Sequence, residues 1–116
     1  MVRQAYGGRV FWTLPGGGAE PGETFAAAAE RELAEEALLS ARIVRQLYVR
    51  DYTSRDGARV REVCFLATVP PDAEAGVGRD PEDVGVTSIV DVAWRPLADL
   101  GDDHQVARVL AALDSR

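Results

Sequence analysis

Between residues 15 and 39 the chain gathers first glycine and then glutamate, in an order that leaves few structures open to it. Pro15 to Gly22 holds four glycines and two prolines, which forces a loop with demanding backbone angles. Thr24 is a good N-cap, and the alanine- and glutamate-rich stretch after it predicts a helix to about Leu38. On such a helix Glu32, Glu35 and Glu36 stand at i, i+3 and i+4, so their carboxylates share one face. Three like charges packed this way destabilise an isolated helix. Either the face is simply solvated, or a hard divalent cation such as magnesium or manganese removes the cost through oxygen ligands.

Charge is distributed to the same effect. The net charge is −6, which speaks against broad nucleic-acid binding through a basic face. Residues 17–39 carry six of the 19 acids but one of the 13 bases, so nearly the whole imbalance sits there. Every base is arginine, which leaves many planar groups suited to bidentate phosphate contacts. At 116 residues, with 47% hydrophobic and 28% charged, the chain fits one globular domain over residues 1–116. No apolar run reaches the roughly 20 residues of a membrane span, and the N-terminus carries no apolar signal segment. Cys64 stands alone, so no disulfide calls for an oxidising compartment, and the default location is the cytoplasm.

Around this segment the pattern alternates strands and helices. Residues 9–14 read as a strand from their β-branched and aromatic content. Residues 41–53 and 59–69 read as two strands joined through Ser54-Arg55-Asp56-Gly57, where Asp-Gly signals a hairpin. The second ends in an apolar run, Val63 to Val69, expected to be covered on both faces. Residues 70–87, with three prolines, three glycines and five acids, read as a long surface loop of the functional or mobile kind. A strand from Ser88 to Arg95 and a helix from about Asp103 to Leu113, with Val106, Val109, Leu110 and Leu113 on one face, complete an α/β domain.

The loop raises the odds of the metal reading. Gly16-Gly17-Gly18 lets the backbone approach a ligand closely. Glu23 at the helix start and Arg31 further along could pair, tying loop to helix and leaving Glu32, Glu35 and Glu36 for metal; ordinary loop-closing electrostatics explains the pair equally well.

Gly17, five residues, Glu23, seven residues, then Arg31-Glu32-Leu33-Ala34-Glu35-Glu36-Ala37-Leu38-Leu39 resembles the Nudix box. Every fixed position matches except the last glycine, where Leu38 stands. The lead-in Trp12 to Gly18 and the later Trp94-Arg95-Pro96-Leu97 are also similar to that family. The resemblance implies an α/β/α sandwich with a mixed sheet and a loop–helix–loop catalytic element. It implies a metal-dependent pyrophosphohydrolase acting on a nucleoside diphosphate linked to another moiety, such as a nucleoside triphosphate or nucleotide sugar. Magnesium is the implied cofactor, with manganese as substitute. Glu32, Glu35 and Glu36 match the metal-binding acids, the Gly16 carbonyl a further ligand, Glu23 a supporting acid and Arg31 its structural partner. Glu35 is the favoured general base, with Glu82 from the long loop as an alternative. A catalytically silent Nudix-like module binding nucleotides or a protein partner is the competing reading.

Two departures from the family pattern bear on structure. Leucine in the left-handed conformation costs on the order of 1–2 kcal/mol, so at Leu38 the helix is expected to run on or exit differently. Only eight residues precede Arg9, so the family's N-terminal strand is expected to be missing or shortened, with Met1 to Gln4 resembling its end. An uncovered sheet edge would favour a homodimer.

Other residues have two readings each. Trp12 and Trp94 fit core or pocket wall, and Trp12 could instead stack on a base. Tyr48 and Tyr52 share strand parity and could flank a substrate cleft. Arg50, Arg55, Arg59 and Arg61 could hold phosphate or merely solvate the hairpin. Cys64 fits buried packing and His104 a surface or capping role.

Overall fold

A computed structural model of the chain describes residues 1–6, 8–78 and 87–114. In chain order the elements are β1 (Val2–Tyr6), β2 (Arg9–Thr13), α1 (Phe25–Ala37), β3 (Arg42–Thr53), β4 (Arg59–Thr68), β5 (Thr87–Val92), a 3₁₀ turn at Leu97–Leu100 and α2 (His104–Asp114). The expected α/β class holds. Of the site candidates, Glu82 lies outside the described residues.

The N-terminal strand is short at five residues, but it is present and central. β1 pairs antiparallel with β2 on one side, from Val2↔Thr13 to Tyr6↔Arg9, and with β5 on the other. Its Val2 is among the most buried side chains of the described residues. The edge expected to lie uncovered therefore has its strand, and β2 forms one border of this sheet instead. β3 and β4 make a second, long antiparallel pair, closed by a turn in which Gly57 takes φ 88°. There the Ser54 amide donates to Ala58 O at 2.8 Å and the Gly57 amide to Ser54 O at 3.0 Å.

Two details correct the sequence reading. All described strand pairings are antiparallel and fall into two sheets, where a mixed sheet was expected. A parallel pair needs a long crossover; α1 and its loops supply one between β2 and β3, but β3 takes its partner through the tight turn. The run Val63 to Val69 is half-buried, with Thr68 exposed, rather than covered on both faces.

Both helices lie against the hairpin sheet, α1 on β3 and β4 and α2 on β3. Among the described residues the buried apolar ones are Val2, Ala28, Ala37, Leu39, Val106 and Val109, contributed by β1, both helices and the residue after the α1 C-cap. No helix among the described residues is long and apolar enough to cross a membrane.

Candidate functional site

α1 begins as the sequence predicts. Thr24 is the N-cap, in extended conformation, and its Oγ1 accepts from the Ala27 amide at 3.1 Å, a contact of about 1 kcal/mol. The far end does not follow expectation. Leu38 itself adopts the left-handed conformation, φ 56° and ψ 37°, and stops the helix there. Its amide donates to Ala34 O at 3.2 Å.

Neighbouring residues from the long loop explain how that stop is held. The Gly76 amide donates to Ala37 O and the Gly78 amide to Glu36 O, both at 2.9 Å. Two carbonyls that every helix C-terminus leaves unpaired are satisfied in this way. The approach at Gly78 requires glycine, since a Cβ there would overlap the Glu35 carbonyl; one on Gly76 would stand 3.0 Å from Leu38 Cδ1, the movable end of a side chain. A stretch read from sequence as surface loop thus braces the end of the acidic helix.

Arg31 organises the other end. Its Nε donates to Glu23 Oε2 at 2.8 Å and its Nη2 to Glu23 Oε1 at 3.0 Å, a bidentate pair. Nη2 also donates to Gly18 O at 3.0 Å. Nη1 donates to Glu32 Oε1 at 3.0 Å and to Glu35 Oε2 at 3.1 Å. All the N–H donors of a guanidinium are thereby engaged. The Glu23 carboxyl is held below its usual range, first by its hydrogen bond with Arg31 and then by the Glu20 amide. Arg31 is raised in turn, mainly by Glu23. The Glu23–Arg31 pair exists as expected, but it does not leave all the acids aside: Arg31 also takes Glu32 and Glu35.

Glu36 is 2% exposed and Glu32 8%, unusual for carboxylates. Glu36 Oε1 accepts from the Gly16 amide at 3.0 Å. The expectation for Gly16 concerned its carbonyl, whereas its amide is the group engaged here. At Gly17 a Cβ would overlap the Glu32 carboxylate, so the loop passes over this acid with no room for a side chain. Among the described residues, no group of three or more His, Cys, Asp or Glu side chains is arranged to hold a metal ion. Glu32 and Glu35 nevertheless converge on one cationic nitrogen, and these hard oxygen donors suit a hard cation.

A cavity of about 590 Å³ opens beside the loop, lined among others by Gly17, Phe25, Glu36, Tyr48, Tyr52 and Arg61. Tyr48 and Tyr52, which share strand parity, both line it. Burial, aided by Cys64, pushes the Tyr48 hydroxyl up to about 12. Cys64 is half-buried, and burial raises its thiol.

The arginine candidates separate. Arg61 reaches the cavity but is paired across the hairpin with Asp51, at 2.9 Å. Arg50 bonds Glu62 at 3.3 Å, lies 4.2 Å from the centre of the Tyr52 ring, and borders a different groove with Arg45 and Arg108. Arg59 is exposed at the start of β4 and lines neither space. Trp12 is half-buried, with the Arg95 guanidinium 5.6 Å from its ring centre. Trp94, expected in core or pocket wall, is 61% exposed. His104 is exposed at the start of α2, as expected.

Sequence reasoning missed Gln105, whose Oε1 accepts from Thr13 Oγ1 at 2.9 Å and from the Leu14 amide at 3.0 Å. It missed Gly76 and Gly78 as well. The paired glycines were a visible signal there; for Gln105 no local signal exists. Residues 1–113 match the family model described as NUDIX domain. No curated protein matches the chain.

Proposed function

Because the chain belongs to the NUDIX domain family, whose general activity is hydrolysis of pyrophosphate bonds and whose members generally use divalent metal ions, we propose that it cleaves the diphosphate linkage of a nucleoside diphosphate joined to another moiety. Nucleoside triphosphates and nucleotide sugars both fit this description. Magnesium, or manganese in its place, would be held by Glu32, Glu35 and Glu36, with the Gly16 carbonyl as a further candidate ligand. Bound there, the ion would supply neutralisation of diphosphate charge and acidification of a nearby water. The observation that carries the reading is the convergence of Glu32 and Glu35 on Arg31 Nη1, beside a loop with no room for a Cβ at Gly17. Two carboxylates already turned to one positive charge show where oxygens gather, and a divalent ion bound there would share or displace the Arg31 contact.

The chain's own residues have distinct tasks in this reading. Glu35 accepts the proton of the attacking water as its oxygen bonds to phosphorus and the bond to the leaving phosphate breaks. Glu23 and Arg31 keep the glycine loop against α1, so the substrate phosphates meet a fixed backbone. Tyr48 and Tyr52 offer ring faces to the nucleoside, and Arg61, reaching the same cavity, is the better placed arginine for phosphate. Arg50 borders the other groove and Arg59 neither, so both stand further from this role. Trp12 shares its ring with Arg95, which favours a structural part over base stacking.

A second reading draws on the same contact. Arg31 already neutralises Glu32 and Glu35, as a catalytically silent nucleotide- or partner-binding module would allow. Incubation with magnesium or manganese and a panel of nucleotide derivatives decides between the two. The hydrolase reading expects turnover on at least one compound, lowered about 10²–10⁴-fold in Glu35→Gln and reduced also in Glu36→Gln, with the variants still folded. No turnover on any compound, with nucleotide binding unchanged in the variants, establishes the silent module instead.

A further inference from the structure

The loop over the acidic helix is held from two helices far apart in sequence. β2 ends at Thr13, the last residue with a strand partner, so the Leu14 amide has no place in the ladder. It donates instead to Gln105 Oε1 at 3.0 Å, and the same oxygen accepts from Thr13 Oγ1 at 2.9 Å. Pro15 has no N–H, and the next amide, that of Gly16, donates to Glu36 at 3.0 Å. Gly18 O then accepts from Arg31 at 3.0 Å. Successive amides of the strand end and loop are thus taken by α2 and then by α1.

Gln105 is itself firmly placed. It lies in the first turn of α2, where Asp103 Oδ1 accepts from the Gln105 amide at 2.9 Å and the Val106 amide at 3.1 Å. The next residue, Val106, is fully buried. One side-chain oxygen on a capped, anchored helix start therefore sets the position of a backbone segment 91 residues earlier.

We propose that Gln105 is a positioning residue for the reaction, locking the end of β2 so that the Gly16 amide and the Gly17 backbone stay seated on Glu36 and Glu32. The proposal rests on the hydrolase reading for its effect on turnover, but not for the coupling between α2 and the loop. Without the Gln105 oxygen the Leu14 amide must turn to water, and the glycine loop loses one of its two holds. Since the loop and acids form one unit, the loss falls on kcat more than on KM.

Two variants separate positioning from direct substrate contact, because Gln105 also borders the cavity. Gln105→Leu removes the acceptor; Gln105→Glu keeps an oxygen for both donors but removes the side-chain N–H groups. Amide exchange at Leu14, followed by NMR, reads the coupling directly and independently of turnover. Gln105→Leu should exchange Leu14 about tenfold faster and lose kcat about tenfold with KM little changed, while still melting cooperatively. Gln105→Glu should restore both. Unchanged Leu14 exchange in Gln105→Leu overturns the proposal, whether or not the protein turns over a substrate. So does a Gln105→Glu protein that keeps Leu14 protected yet loses as much turnover as Gln105→Leu, since Gln105 would then act on substrate. Faster exchange in a chain with no turnover on any compound keeps the coupling and fails only the hydrolase reading.

Discussion

The loop–helix segment and the β3–β4 hairpin are built from the same charged residue types, arranged to opposite ends. In the first, one arginine serves Glu23, Glu32, Glu35 and the Gly18 carbonyl, joining stretches apart in sequence. In the second, two arginines each take one acid directly across the strands, Arg50 with Glu62 and Arg61 with Asp51. The Arg61–Asp51 side chains are 61% and 64% exposed, against 24% and 17% for Arg31 and Glu23. Exposed cross-strand pairs support register and little more. A shared, half-buried arginine instead fixes the relative positions of several backbone segments, as a site needs.

Within this comparison, the largest effect should come from filling the space over the acids. Gly17→Ala places a methyl group where the Glu32 carboxylate lies, whereas a Cβ on Gly18 meets nothing within 4 Å. Turnover should fall about 10²-fold in Gly17→Ala and little in Gly18→Ala, measured side by side on the best substrate of the panel. Equal losses would mean that the loop does not sit on Glu32 as described.

A smaller effect concerns stability. Arg31→Met should lower the midpoint of denaturant unfolding more than Arg61→Met, and added salt should erase the Arg61 difference first. Acid sharpens the contrast. Glu23 is held below its usual 4.5 and Asp51 below its usual 3.8 by their arginines. A lowered carboxyl stabilises the fold fully above its usual value, and that support is lost as pH falls through the lowered one. Unfolding midpoints should therefore drop between about pH 4.5 and more acid values, less so in Arg31→Met than in Arg61→Met. A wild-type midpoint that does not move in this range contradicts the pairing.

Leu38→Gly should have the smallest effect and the opposite sign. Relief of the left-handed leucine is worth about 1 kcal/mol, since its side chain is 60% exposed and little packing is lost. Chemical unfolding would read this as a higher midpoint at unchanged slope. A loss of stability would show that the Leu38 contact with the Gly76 segment outweighs the strain.

The local build of the loop–helix segment was legible before any fold, because its pattern is local. Thr24 as cap, Glu32, Glu35 and Glu36 on one face, and the pairing of Glu23 with Arg31 all follow from spacing along one loop and one helix. The hairpin and the α2 stripe were legible for the same reason. What was missed lay at long range. The central position of β1 depends on β5, some 85 residues later, and a five-residue strand carries too little pattern to announce its neighbours. Leu38 was expected to avoid the left-handed region; the Gly76 and Gly78 amides meet the helix end there, which helical periodicity cannot reveal.

The amino-acid order alone determined that a glycine loop would run into a capped helix with three acids on one face, since helical geometry repeats every 3.6 residues. Only the tertiary structure decided where those acids turn. Hydrogen bonds to the Gln105 oxygen and from the Gly76 and Gly78 amides join segments about 40 to 91 residues apart. Which distant donor meets which acceptor depends on how helices and sheets pack, and no spacing within one segment encodes that.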